Sequence, residues 1–168
     1  MDNQFMLLPM IFLKQQSAAV IQQCNDFTSR YQLSLTDEEI QQLIEHRREV
    51  LQQTGRVEFG GGVLQKIIME FADSAYLCQQ NYAESLMELQ ECFYYFKNEA
   101  IENLSDDELI QIMKNYYEEV CQGSIEFLQS TMLENYCRDI RYGTKDYRDL
   151  DGYEDNYVDF LDWDEKEY

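Results

Sequence analysis

Apolar side chains recur at intervals of three or four residues through most of this 168-residue chain. In one segment, for example, the apolar positions are Val20, Ile21, Cys24, Phe27 and Tyr31. This spacing places them on one face of an α-helix, and the chain has only one proline to interrupt helices. We therefore predict an all-α fold of six short to medium helices in a compact, bundle-like array with short connections. The predicted helices cover about residues 15–31, 36–54, 63–71, 80–101, 106–120 and 125–140.

Two of these helices begin with the same kind of sequence. Thr36 is followed three residues later by Glu39, and Ser105 is followed in the same way by Glu108. In such a capping box the hydroxyl accepts a hydrogen bond from the third amide of the helix, and the glutamate accepts one from the amide of the capping residue. The second helix should end at Gly55, because glycine readily takes the left-handed conformation that closes a helix.

The fourth predicted helix carries more aromatic side chains than one face can bury. Leu89 and Phe93 lie on its main apolar stripe, and we expect both in the core. Tyr94 and Tyr95 widen that stripe, so some of these rings should be exposed or covered by another segment. We therefore predict Tyr94 and Tyr95 as residues that contact a partner protein.

The helical pattern stops near residue 142, which divides the chain into a helical domain, 1–142, and an acidic aromatic tail, 143–168. Between Thr144 and Tyr168 there are ten acidic and three basic residues. We expect this tail to be irregular. Its aromatic side chains Tyr157, Phe160 and Trp163 are nevertheless unusual for a solvated spacer, and we predict that they contact a partner or the helical domain.

The charge of the chain excludes several classes of ligand. It contains 13 Lys and Arg but 33 Asp and Glu, for a net charge near −20. Such a surface repels phosphate backbones and anionic lipids, so we expect no direct binding to nucleic acid or membranes. A basic protein partner fits this charge, although acidity also serves solubility alone.

The cysteines and the N-terminal segment indicate a cytoplasmic protein. Five cysteines form an odd set without a Cys-x-x-Cys pair, which indicates neither a full set of disulfides nor a zinc site and fits a reducing compartment. The apolar stretch from Phe5 to Leu13 contains Pro9 and is too short to cross a bilayer. It also lacks the features of a signal peptide.

A glycine-rich segment is the candidate for a ligand-binding loop. Arg56 and Glu58 precede three consecutive glycines, Gly60, Gly61 and Gly62, at the start of the third predicted helix. Backbone amides that open into a helix can hold an anion. The phosphate-loop pattern fails, however, because its lysine and its serine or threonine would fall on Gly61 and Gly62. We therefore favour a sharp structural connector over an anion-binding loop.

No pattern in the sequence indicates catalysis. The only histidine, His46, is expected to be an exposed helix residue, and Leu43 occupies the position where a Glu-x-x-His metal motif needs an acid. A calcium loop centred on Gly152 would place Tyr147 and Val158 where carboxylates are required. We therefore expect no catalytic residues, no metal site, no cofactor and no enzymatic activity.

Three stretches carry a resemblance to a known family: residues 55–62 (GRVEFGGG), 91–99 (ECFYYFKNE) and 104–109 (LSDDEL). In these stretches the chain resembles an uncharacterised family of small bacterial cytoplasmic proteins, a domain of unknown function. The resemblance extends over about residues 12–141 and leaves the tail outside. It implies a bacterial, cytoplasmic origin and no particular activity.

Three hypotheses for function follow. The first is a non-enzymatic interaction or adaptor protein that presents an acidic, aromatic surface to a basic partner. The second is a mimic of DNA that occupies a DNA-binding protein, which requires carboxylates at phosphate-like spacing on one face. The third is a domain that binds a small molecule or anion at Arg56, Glu58 and Gly60 to Gly62, which requires a concave pocket.

Overall fold

The computed structural model describes residues 3–100 and 104–132, with side chains described over 12–98 and 104–130. It confirms the all-α prediction, because these residues form six α-helices and no strand. The helices are α1 (Asn3–Thr28), α2 (Asp37–Thr54), α3 (Gly62–Phe71), α4 (Tyr82–Ala100), α5 (Asp106–Glu119) and α6 (Ile125–Phe127). A 3-10 turn, Ser29–Tyr31, follows α1, and a π-helical turn, Leu128–Met132, follows α6.

The first helix differs from its predicted range. We predicted a start near residue 15, after the apolar stretch, but α1 begins at Asn3 and continues through Pro9. A proline removes one backbone hydrogen bond and disfavours a helix without always ending it. The helix also ends earlier than predicted, because Gln32 takes a left-handed conformation with φ 62° and the Leu33 amide donates to the Thr28 carbonyl.

Both predicted capping boxes are confirmed. At α2 the Glu39 amide donates to Thr36 Oγ1 over 3.2 Å, and Glu39 Oε1 accepts from the Thr36 amide over 3.0 Å. At α5 the Ser105 and Glu108 pair forms the same two bonds, over 3.2 and 2.8 Å. Gly55 closes α2 with φ 70°, as predicted. These local bonds set where the loops between helices begin.

The core forms around α4. This helix packs against α2, α3 and α5, and α1 completes the array by packing on α2 and α3. Leu89 and Phe93 are fully buried, which confirms their predicted place in the interior. The buried apolar positions of α2 and α3 keep the helical spacing that predicted them.

The C-terminal region is described only in part. We predicted a sixth helix over 125–140, and the structure has a short helical turn at Ile125–Phe127 followed by the π-helical turn. The remainder of that predicted helix, the boundary at 142 and the tail 143–168 lie outside the described residues. Within the described ranges, no helix combines the length and apolar character needed to cross a membrane.

Candidate functional site

The loop between α2 and α3 is held by a buried arginine of α2. Arg47 Nη1 donates to the Gly60 and Gly61 carbonyls over 3.1 and 3.0 Å, and Nη2 donates to Ser17 Oγ over 3.1 Å. Gly60 has φ 63°, in the left-handed region that favours glycine. The loop therefore turns sharply and presents its carbonyl groups to the Arg47 guanidinium.

Glu58 joins this loop to two helices. Its side chain is only 6% exposed. Oε1 accepts from the Val63 amide over 2.8 Å, and Oε2 accepts from Arg56 Nε over 3.0 Å and from the Tyr94 hydroxyl over 2.5 Å. The structure therefore brings Arg56, Glu58 and the glycines together, as one internally bonded loop. At the start of α3, where an anion site was one of two alternatives, the Val63 amide already donates to the Glu58 carboxylate.

The tight packing of this loop explains why position 62 is a glycine. A Cβ atom at Gly62, which has φ 54°, would lie 2.3 Å from Glu58 Oε1 and 3.2 Å from Arg47 Nη1. A side chain at this position would displace the carboxylate from the α3 amide. The connector role that we left open for the glycines is therefore part of the arrangement.

Arg56 extends the network to the start of α5. Its Nη2 donates to Asp106 Oδ2, and Lys97 Nζ lies 3.4 Å from Asp106 Oδ1. Burial alone would raise the pKa of Asp106, but the hydrogen bond and charge of Arg56, together with Lys97, lower it. Burial, followed by the hydrogen bond and charge of Glu58, raises the pKa of Tyr94, which therefore remains a protonated donor.

The Asp106 ion pair should make stability depend on pH. An aspartate with a lowered pKa in the folded state stabilises the protein above its unfolded pKa of about 3.9, and this contribution is lost as the pH falls through the folded pKa. We expect Asp106→Asn to lower the free energy of unfolding by about 1–2 kcal/mol at pH 7. The deficit relative to wild type should shrink below about pH 4, as measured by urea denaturation over a pH series.

The neighbouring Asp107 supplies the control for that experiment. Its side chain is 78% exposed and pairs with Lys66 over 2.9 Å, also in the first turn of α5. Asp107→Asn should therefore change stability by less than about 1 kcal/mol at any pH. A deficit of Asp106→Asn that stays constant from pH 7 to pH 2 would contradict the pKa effect.

A cleft lies beside this network, between α1, α2 and the 55–60 loop. Its volume is about 640 Å³. Its apolar wall is formed by Leu13, Ile44, Leu51, Val57 and Phe59. Val57 and Phe59 are the most exposed of these, at 72% and 71%. The bonded loop thus holds two exposed apolar side chains at the rim of a concave surface.

Sequence reasoning missed Arg47, which lines this cleft. The sequence patterns did not single it out, but Arg47 is only 5% exposed. A signal was present, because Ile40, Leu43 and Ile44 continue to position 47 with the spacing of one helix face. A basic residue in that register was the indication of a buried guanidinium.

The residues that we predicted to contact a partner differ in their exposure in the structure. Tyr94 is buried and donates its hydroxyl to Glu58, so it does not contribute to the exposed surface. Tyr95 is 55% exposed and remains available to a partner. Tyr157, Phe160 and Trp163 lie outside the described residues.

His46 is less exposed than we expected from its sequence position. Its side chain is 18% exposed, because α4 packs beside it. Its Nε2 lies 2.8 Å from Glu91 Oε1, so the histidine forms a contact between α2 and α4.

Comparison with known proteins identifies a family. Residues 20–146 match the model of DUF6323, a family of unknown function. No curated protein and no solved structure matches the chain.

Proposed function

We propose that this chain, which belongs to the DUF6323 family of unknown function, binds a small organic molecule in the cleft between α1, α2 and the 55–60 loop. The observation that carries this proposal is the cleft itself. A volume of about 640 Å³ lies within the range of about 300–1,000 Å³ that is typical of small-molecule sites. The third sequence hypothesis required such a concave pocket beside Arg56 and Glu58.

The rigidity of the cleft wall supports the same proposal. The loop that forms one wall is bonded to α2 through Arg47, to α3 through the Val63 amide and to α4 through Tyr94. A wall that is ordered before binding loses little conformational entropy when the ligand enters. The proposal is for binding alone, without an assigned reaction.

The first sequence hypothesis, a non-enzymatic protein that contacts a basic partner, remains a second proposal. The exposed ring of Tyr95 on α4 favours it, because a large exposed aromatic side chain is typical of interaction surfaces. A bacterial, cytoplasmic setting also remains a proposal. The thiols of Cys24, Cys78 and Cys121, which form no disulfide with one another, support a reducing compartment.

Two glutamines of α2 allow a matched test of the cleft. Gln52 lines the cleft, whereas its neighbour Gln53 does not, and both are exposed. We expect Gln52→Trp to fill part of the cleft and abolish the rise in melting temperature that ligands cause in a screen of organic metabolites. Gln53→Trp should keep that rise, which corresponds to about 2.7 kcal/mol at a ligand concentration one hundred times the dissociation constant.

The outcome separates binding in the cleft from binding elsewhere. Compounds that stabilise wild type and Gln53→Trp but not Gln52→Trp would support the proposal. A broad screen without any stabilising compound, or stabilisation that Gln52→Trp leaves unchanged, would contradict it.

A further inference from the structure

The cleft is cationic in a strongly acidic protein. Its lining contains four cationic side chains, Lys14, Arg47, Arg48 and Arg56, and two acidic ones, Glu45 and Glu58. The whole chain has only 13 Lys and Arg against 33 Asp and Glu. The cleft therefore reverses the charge balance of the chain, and its local field favours an anionic ligand.

Three of the four cations are already paired with carboxylates. Lys14 Nζ and Arg48 Nη1 lie 3.3 and 3.7 Å from the two oxygens of Glu45. Arg56 pairs with Glu58 and with Asp106. Lys14 and Arg48 share one carboxylate, and Arg47 is the cation of the cleft that has no ion pair among the described side chains.

Arg47 has no carboxylate within 4.0 Å among the residues whose side chains are described. Its three hydrogen bonds go to neutral acceptors, two carbonyl groups and the Ser17 hydroxyl. The neighbouring Glu58 carboxylate is occupied on both oxygens by the Val63 amide, Arg56 and Tyr94. A guanidinium has five N–H donors, so two of those of Arg47 lack an acceptor in this part of the chain.

A buried charge without a counter-ion is costly, because it loses hydration and gains no opposite charge in return. Arg47 is 5% exposed and lines the cleft. The Glu58 carboxylate lies near Arg47 without a direct ion pair, and an anion that enters the cleft can supply that pair. The planar guanidinium matches the two oxygens of a carboxylate, and the apolar wall of the cleft matches a hydrocarbon body.

We propose that the ligand of the cleft is an organic carboxylate with an apolar body, whose carboxylate pairs with Arg47 and whose body packs against Ile44 and Leu51. This inference rests on the proposed small-molecule function and specifies its ligand class. Lys14 and Arg48 at the cleft add to its positive field. Fatty acids and aromatic acids both combine a carboxylate with an apolar body.

Isothermal titration calorimetry with a matched set of probes tests the ligand class on the full chain. The probes are decanoate, 1-decanol, decyltrimethylammonium and acetate, each below its aggregation concentration. Decanoate should bind at least about tenfold more tightly than 1-decanol, because a hydrogen-bonded charge contributes on this order. Acetate, which lacks the apolar body, and the cationic probe should bind more weakly than decanoate.

Variants at the rim test the charge without disturbing the core. Val57 is exposed at the cleft, and Val120 is an exposed valine at the end of α5 that does not line it. Val57→Lys should bind decanoate more tightly than Val57→Asp by about tenfold, since the two variants differ by two charges near the ligand. Val120→Lys and Val120→Asp should bind decanoate equally.

The Arg47→Gln variant tests the residue itself. It should weaken decanoate binding at least about tenfold and weaken 1-decanol binding by a clearly smaller factor. If this variant loses its cooperative melting transition because the loop detaches, the test is the difference in decanoate binding between Val57→Lys and Val57→Asp.

The outcomes distinguish this inference from the proposed function. Equal binding of decanoate and 1-decanol, abolished by Gln52→Trp, would overturn the carboxylate class and leave a small-molecule cleft. No binding by any probe, with no ligand from the metabolite screen, would overturn both. Tighter decanoate binding that depends on Arg47 and on the charge at Val57 would support it.

Discussion

Replacement of Phe93 with alanine is expected to lower the free energy of unfolding by about 3–5 kcal/mol, the usual cost of removing a buried aromatic side chain. Phe93 is fully buried on α4, the helix that packs against α2, α3 and α5. Its ring meets that of Tyr94 edge to face at a centroid distance of 5.2 Å. The substitution removes apolar contacts and leaves a cavity in the centre of the helical array.

Tyr95→Ala is the matched control for this prediction. Tyr95 lies two residues further along α4 and is more than half exposed, with an edge-to-face contact to Phe96. We expect it to cost less than about 1 kcal/mol. Equilibrium urea denaturation measures both variants through the midpoint and slope of the transition. Equal midpoints for Phe93→Ala and wild type would contradict the central position of α4.

Glu58→Ala is the second change with a large expected effect, a loss of about 3–5 kcal/mol. The substitution removes the carboxylate that accepts hydrogen bonds from the Val63 amide, Arg56 and Tyr94. It leaves a buried amide and a buried hydroxyl without an acceptor and leaves two arginines, Arg47 and Arg56, without this nearby negative charge. Removal of one member of a buried network costs more than the network contributes as a whole.

Glu49→Ala supplies the control, because Glu49 is an exposed acidic residue of α2. It should change stability by less than about 0.5 kcal/mol. The coupling between Glu58→Ala and Tyr94→Phe, measured by a double-mutant cycle, should be about 1–3 kcal/mol, since the two side chains share one hydrogen bond. Additive effects of these two substitutions, or equal stability of Glu58→Ala and wild type, would show that the loop does not depend on this carboxylate.

The parts of the fold that follow from local chemistry were predictable from the sequence. The apolar spacing predicted the buried faces of α2 to α5, and the Thr36 and Ser105 capping boxes predicted where α2 and α5 begin. Both signals act within a few residues of the chain, so they do not require knowledge of tertiary structure. The predicted start of α1 was wrong, because rules that consider only neighbouring residues treat Pro9 as the end of a helix.

The candidate site depends on contacts between residues that are distant in the sequence. Arg56 and Glu58 were predicted as a pair, but their partners Tyr94 and Asp106 lie 36 and 50 residues away from them. The sequence also indicates an acidic chain as a whole and contains no obvious sign that four cations meet at one cleft. Only the packing of α1 on α2 and the turn of the loop bring Lys14 and Arg56 to the same concave surface.

The most direct measurement follows the side chain of Arg47 during binding. In the full chain with 15N-labelled arginine, two-dimensional NMR resolves the guanidinium Nε–Hε signals, and decanoate is titrated. The account predicts a saturable shift of the Arg47 signal, while the signal of Arg30, which stacks on Phe27 outside the cleft, stays in place. An Arg47 signal that does not move while decanoate binds would contradict the account.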